Sequence, residues 1–146
     1  MAVRPHLNTV LTKNLESPNA AAMWLRDKGR NMAGVFIVED DTSVQMLLRI
    51  ALRTRNHEVV GVAANAEEAK NAILLLNPDL CLIDICLKSY TSGIDMAEYV
   101  IEKLGIPVVV MSGDDHPTLP VPFVLKPICL PHLFAMIGRA LETRRF

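Results

Sequence analysis

Four places in the sequence set a group capable of chemistry directly after a short apolar run. Val35–Val38 leads into Glu39, Asp40 and Asp41, and Leu80–Ile83 leads into Asp84. Ile106–Met111 leads into Ser112, and Phe123–Leu125 leads into Lys126-Pro127. Several carboxylates crowded at a dry edge repel one another by roughly several kcal/mol at an effective dielectric near 20. Protonation must therefore quench some of them, or a cation must share the site. Mg²⁺ suits such a place, because it takes hard oxygen ligands from one or two carboxylates together with waters and phosphate oxygens. Asp40 and Asp84 can supply carboxylates directly, with Glu39 reaching through water. A rival role for Glu39–Asp41 is to cap the helix that follows, whose first turn favours negative charge.

Asp84 lies between Leu82-Ile83 and Ile85-Cys86-Leu87. A lone carboxylate there must be paired or metal-bound, because burying it alone is costly. With a dication neutralising charge, its oxygen can attack a phosphoryl group in line and form an aspartyl phosphate. Lys126 and the Ser112 hydroxyl would then orient and neutralise the transferred group. Taken singly, Lys126 reads equally as a snorkelling surface amine and Ser112 as a turn residue before Gly113. Their matching positions after apolar runs favour a shared site.

Those runs belong to a regular alternation. Strands are expected at 35–38, 59–63, 80–83, 106–111 and 123–125. Helices are expected at 42–56, with an apolar face of Val44, Leu47, Leu48, Ala51 and Leu52, then at 66–76, 94–104 and 130–141. Asn77-Pro78 closes the second helix and Gly105 the third, since a residue without Cβ suits a left-handed cap. Wholly apolar strands, each followed by a helix, specify a parallel sheet covered on both faces. In such sheets ligands bind beyond the carboxyl ends of the strands, where strand order reverses. That edge is where the acids, the hydroxyl and the amine would meet.

The totals narrow the class. The chain has 146 residues, 51% of them hydrophobic, enough for one domain with a real core. Its formal net charge is −1, which speaks against a broad nucleic-acid surface. Residues 1–33 carry five basic against two acidic residues, so a basic N-terminal extension precedes an acidic body. Within it, Ser17-Pro18 marks a helix start leading into Ala20–Lys28, and Met23, Trp24 and Leu25 could pack onto the body or present a hydrophobic stripe to a partner. Met32 could even be the start residue, with the extension dispensable. Cys81, Cys86 and Cys129 show no metal-binding spacing; Cys81 and Cys129 read as small core residues. A reducing, cytoplasmic compartment follows. No apolar run approaches the roughly 18 residues a membrane span needs, and polar residues interrupt any signal-peptide core.

With these residues in place, the chain from about Gly34 to Leu141 resembles the receiver domain of bacterial two-component response regulators. The resemblance rests on Val38-Glu39-Asp40-Asp41, Asp84 in Leu82-Ile-Asp-Ile-Cys86, Ser112 in Val110-Met-Ser-Gly113, and Lys126-Pro127 in Phe123-Val-Leu-Lys-Pro127. It implies a flavodoxin-like, doubly wound five-stranded sheet over residues 34–146. It also implies that Asp84 is the phosphoacceptor and that Glu39 and Asp40 are the metal pair. The Cys86 backbone carbonyl would be a further Mg²⁺ ligand, Ser112 and Phe123 the switch residues, and Lys126 the salt-bridge partner of the phosphate. A cis peptide bond is implied before Pro127. The implied partner upstream is a sensor histidine kinase or a histidine phosphotransfer protein; downstream it is an unidentified protein. No enzyme activity is implied beyond self-phosphorylation and dephosphorylation.

The departures are informative. Lys88 stands where the family usually has proline. The connection between Ser112 and Phe123 carries Pro117, Pro120 and Pro122, too many for a full helix. This is similar to stand-alone receivers whose fourth helix is short or replaced by a loop. Only twenty residues follow Lys126, so output is expected through a partner protein, or the chain is a phosphate sink or shuttle. A receiver acting as a scaffold without phosphate is a further alternative. A Mg²⁺-dependent phosphatase with an aspartate nucleophile would need an acid two residues after Asp84, where Cys86 stands. A flavin site would need a phosphate loop where Glu39–Asp41 would repel it.

Overall fold

An apolar run without alternation has two faces to bury, so it becomes an inner strand of a sheet with helices on both sides. The computed structural model of the protein describes residues 32–87, 93–113 and 119–143. Five strands, β1 (Gly34–Val38), β2 (Glu58–Ala63), β3 (Leu80–Asp84), β4 (Val108–Ser112) and β5 (Phe123–Leu125), form one parallel sheet in the order β2-β1-β3-β4-β5. Every residue of β1, β3 and β4 is buried. Four helices are described: α1 (Thr42–Thr54), α2 (Ala66–Leu76), α3 (Gly93–Glu102) and α4 (Leu130–Thr143).

Side chains alternate across the sheet with period two. On one face Phe36, Cys81, Ile83 and Val110 pack with Ala69 and Ile73 of α2 and Met96 and Val100 of α3. On the other, Ile37, Leu82, Val109 and Met111 pack with Leu48 and Leu52 of α1 and Leu133 and Ile137 of α4. This is the doubly wound, flavodoxin-like arrangement expected. Its strand order reverses between β1 and β3, which opens a crevice beyond their carboxyl ends.

Local signals set the element ends. Asn65 caps α2 by accepting from the Glu68 N–H, and Asn77 closes it in the left-handed region at φ 45°. Gly105 adopts φ 64° after α3, and the Ile106 N–H donates to the Val100 carbonyl at 3.2 Å. The helix stops at Glu102, two residues short of the expected end. β4 begins at Val108 rather than Ile106, because Pro107 has no N–H for a ladder; its carbonyl accepts from Cys81. At the amino end, Ala33 N–H donates to His57 Nδ1 at 3.0 Å and Gly34 N–H to Asp79 Oδ2 at 2.7 Å.

Two burial expectations fail. Leu47 stands exposed beside Met46 and Ile50, because α1 rests on the narrow seam of Leu48, Ala51 and Leu52, and Leu47 lies about 100° around the helix from Leu48. Cys129 is also exposed rather than core. Its neighbours Ile128 and Leu130 pack inward, while its carbonyl accepts the Leu133 N–H at 2.9 Å in the first turn of α4. Cys81 is buried as expected, and burial pushes its thiol up to about 12. Met23, Trp24, Leu25, the expected helix at 20–28, Lys88 and Pro117 lie outside the described residues. The described part of the β4–β5 connection is non-helical, with Leu119 and Val121 packed against the α2–α3 side of the core.

Candidate functional site

β1 delivers Glu39 to the carboxyl edge with a 0% exposed side chain. Its backbone is held twice: its N–H donates to the Ala63 carbonyl at 3.0 Å, and its carbonyl accepts Gln45 Nε2 at 2.6 Å. Asp41 does what the capping alternative proposed. Its carboxylate accepts the Ser43 and Val44 N–H groups at 2.8 and 3.3 Å. The triple acid therefore divides its labour: Asp41 caps α1, while Glu39 and Asp40 face the crevice cluster.

Asp84 is the last residue of β3. The next residue, Ile85, donates its N–H to the Met111 carbonyl at 3.1 Å, carrying the ladder with β4 one step past the carboxylate. The Cys86 N–H donates to Asp84 Oδ1 at 2.8 Å. From the far side, Lys126 N–H donates to the Ser112 carbonyl at 2.8 Å, which fixes the lysine stem against β4. Its Nζ then reaches across the edge to Glu39 Oε1 and to Asp84 Oδ2, both at 2.8 Å. The following bond to Pro127 is cis. Ser112 is buried at the end of β4, level with Leu125. Phe123 is half-buried, level with Val110 on β5.

The three ionisable groups settle into unequal states. Burial pushes the Glu39 carboxyl up to about 8, helped by the hydrogen bond to Asp84 and that residue's charge and opposed by Lys126. Burial also works to raise Asp84, but hydrogen bonds from Glu39, Lys126 and the Cys86 amide outweigh it and hold its carboxyl below the usual range. For Lys126, desolvation would lower the amine, yet the two carboxylates prevail and keep it raised. The proton is thus held more tightly by Glu39, and Asp84 favours its ionised form beside the Lys126 ammonium. The environment has separated two neighbouring carboxylates into an acid and an anion.

The same residues meet the requirements of a hard dication. One carboxylate oxygen from each of Glu39, Asp40 and Asp84 lies within 4.8 Å of the others. Glu39 Oε2 is buried without a hydrogen-bond partner, a donor atom that the protein leaves unsatisfied. Oxygen-only donors of this number suit Mg²⁺.

Of the residues singled out from the sequence, Glu39, Asp40, Asp84 and Lys126 are gathered in one cluster, and Ser112 holds the lysine through its carbonyl. Gln45 and Gly93 escaped the sequence reading. Gln45 is one more polar residue in a helix, and only the bond to Glu39 gives it meaning. Gly93 is one of seven glycines, and its importance is a close approach described below.

Residues 35–137 match the family described as response regulator receiver domain. The chain belongs to that family. Its receiver domain is 29% identical over 119 residues to the transcriptional regulatory protein PdtaR of Mycobacterium tuberculosis, covering 76% of this chain and 58% of that protein. It is 36% identical over 84 residues to a protein-glutamate methylesterase/protein-glutamine glutaminase of Geobacter metallireducens, covering 57% of this chain but only 24% of the other. The receiver therefore spans between about a quarter and three fifths of these relatives. Among solved structures, it matches the signal receiver domain of a modulated diguanylate cyclase from Desulfovibrio desulfuricans G20 with TM-score 0.72 at 27% identity, covering 78% of this chain and 97% of that one. It matches the response regulator PhyR of Brucella abortus with TM-score 0.72 at 25% identity, covering 87% and 55%. The receiver is a phosphoacceptor module of two-component signalling, and among its described residues no helix is long and apolar enough to cross a membrane.

Proposed function

We propose that Asp84 accepts a phosphoryl group from the phosphohistidine of a sensor kinase or histidine phosphotransfer protein, and that the aspartyl phosphate alters binding to a downstream protein in the cytoplasm. The observation that carries this reading is Lys126 Nζ held 2.8 Å from both Glu39 and Asp84 at the switch point of the sheet. An ionised Asp84 oxygen attacks phosphorus as the bond from phosphorus to the histidine nitrogen breaks; the imidazole leaves with that electron pair and takes up a proton. Lys126 moves its hydrogen bond from the carboxylate to an oxygen of the arriving group. The Cys86 N–H on Oδ1 keeps the carboxylate plane fixed, so that Oδ2 is the oxygen free to react once the ammonium shifts.

Mg²⁺ held by Glu39, Asp40, Asp84 and the Cys86 carbonyl would neutralise charge on the transferred group. Ser112 and Phe123 would carry the change outward along β4 and β5, the hydroxyl turning toward the phosphate and the ring packing inward. Acetyl phosphate with and without Mg²⁺, read by intact-protein mass spectrometry, tests the assignment. Wild type should gain one phosphoryl group only with metal, and Asp84→Asn none. Equal phosphorylation of Asp84→Asn overturns it.

A further inference from the structure

The first turn of α3 lies directly on the peptide that carries the acceptor. A Cβ built on Gly93 would sit 2.0 Å from the Asp84 carbonyl oxygen, 2.4 Å from Ile85 Cα and 2.8 Å from Asp84 C. All three are backbone atoms, which no rotamer change can move aside. Cβ atoms essentially never come closer than 3.0 Å to another heavy atom, so any side chain at this position demands a shift of about 1 Å. Gly93 is buried and opens the helix. On its other side, the same segment is tied to β4 by the bond from Ile85 N–H to the Met111 carbonyl. The Asp84–Ile85 peptide is therefore clamped between a helix backbone and a strand backbone.

We infer that Gly93 is a positioning residue for phosphoryl transfer: by letting α3 seat on the Asp84–Ile85 peptide, it holds the Asp84 carboxylate at its reactive distance from Lys126. The inference rests on the assignment of Asp84 as acceptor. The carboxylate is aligned by two 2.8 Å contacts, from the Cys86 amide and from Lys126 Nζ. A 1 Å displacement of the parent peptide breaks both, and a misplacement of that size costs on the order of 10²-fold in rate.

A second glycine provides the control. A Cβ on Gly61 of β2 would meet Phe36 Cε2 at 2.6 Å and Leu76 Cδ1 at 3.0 Å, so Gly61→Ala also overpacks the core, but against side chains and away from Asp84. Phosphorylation by acetyl phosphate is measured at saturating Mg²⁺ as a function of donor concentration, with the folded fraction fixed by circular dichroism. Gly93→Ala should lose about 10²-fold in maximal rate with the apparent donor KM little changed. Gly61→Ala should keep the wild-type rate per folded molecule, whatever it loses in stability.

Gly93→Ala/Met96→Ala shortens a fully buried side chain of α3 on the same helix face and leaves a cavity into which the helix can tilt, easing the contact at its first turn. It should be phosphorylated faster than Gly93→Ala while melting lower, opposite directions that a purely structural role would not produce. It is also the variant to read if Gly93→Ala alone does not fold. Wild-type rates in folded Gly93→Ala, or a double variant that folds yet transfers at no more than the rate of Gly93→Ala or about 10²-fold below wild type, overturn the inference. Absence of phosphorylation in wild type would instead remove the assignment of Asp84.

Discussion

The buried proton on Glu39 should be visible as a pH dependence of stability in metal-free solution. The carboxyl titrates at 4.5 in an open chain and at about 8 in the fold. Its folded value is raised, so its contribution is fully present below 4.5 and is lost as pH rises through 8. Between those values the native state holds a proton that the unfolded state has shed, and stability falls by about 1.4 kcal/mol per pH unit. Other groups can be kept out of the window. His57 is lowered from 6.5 by burial and by Arg55, so its effect lies below pH 6.5, and Asp84 is lowered from 3.8, further to the acid side. Lys126 and Cys81 are raised from 10.5 and 9.0, so theirs lie above it. From pH 6.5 to 8 the fold should thus lose about 2 kcal/mol. Urea unfolding in the presence of a chelator measures this directly. Glu39→Gln removes the titrating group and should flatten the profile, and Mg²⁺ should flatten it in wild type by displacing the proton. A wild-type profile as level as that of Glu39→Gln, or a Glu39→Gln profile as steep as wild type, refutes the account.

Three further outcomes follow from named contacts. Lys126→Met strands a 0% exposed Glu39 and a 3% exposed Asp84 and should cost about 3–5 kcal/mol without metal, part of it restored by Mg²⁺ in the same urea titration. His57 accepts the Ala33 N–H through Nδ1, so its neutral form belongs to the fold; its ring protons should titrate with a midpoint below 6.5 by NMR, and stability in the Glu39→Gln background should decline as pH falls past that value. Asn65→Ala removes the acceptor for the Glu68 N–H at the start of α2 and should cost about 1 kcal/mol, with no change in phosphorylation rate.

Much of this architecture is written plainly in the chain, for a physical reason. Strands buried on both faces must be apolar at every position, so β1, β3 and β4 stand out as runs, and each leads directly to a candidate site residue. Glu39, Asp84, Ser112 and Lys126 could be named because strand ends in a parallel sheet all point the same way. Leu47 and Cys129 were misplaced because periodicity and local hydropathy count apolar residues without knowing how wide a seam the sheet presents. The role of Asp41 was open because a carboxylate after a strand serves equally as cap or ligand; two backbone N–H groups decide it. The α3 clamp was illegible, since a clash between Gly93 and residue 84 exists only after folding brings the two backbones together.

The cluster is drawn from far-apart stretches of chain. Lys126 is 87 positions from Glu39 and 42 from Asp84, and each pair meets only through the completed sheet. Such distant pairings form late and slowly. A nascent chain still short of β5, or one clipped by a protease before it, retains its aspartate but has no ammonium beside it. On the proposed function, the pairing of ammonium and aspartate that phosphoryl transfer would use exists only once the sheet is finished.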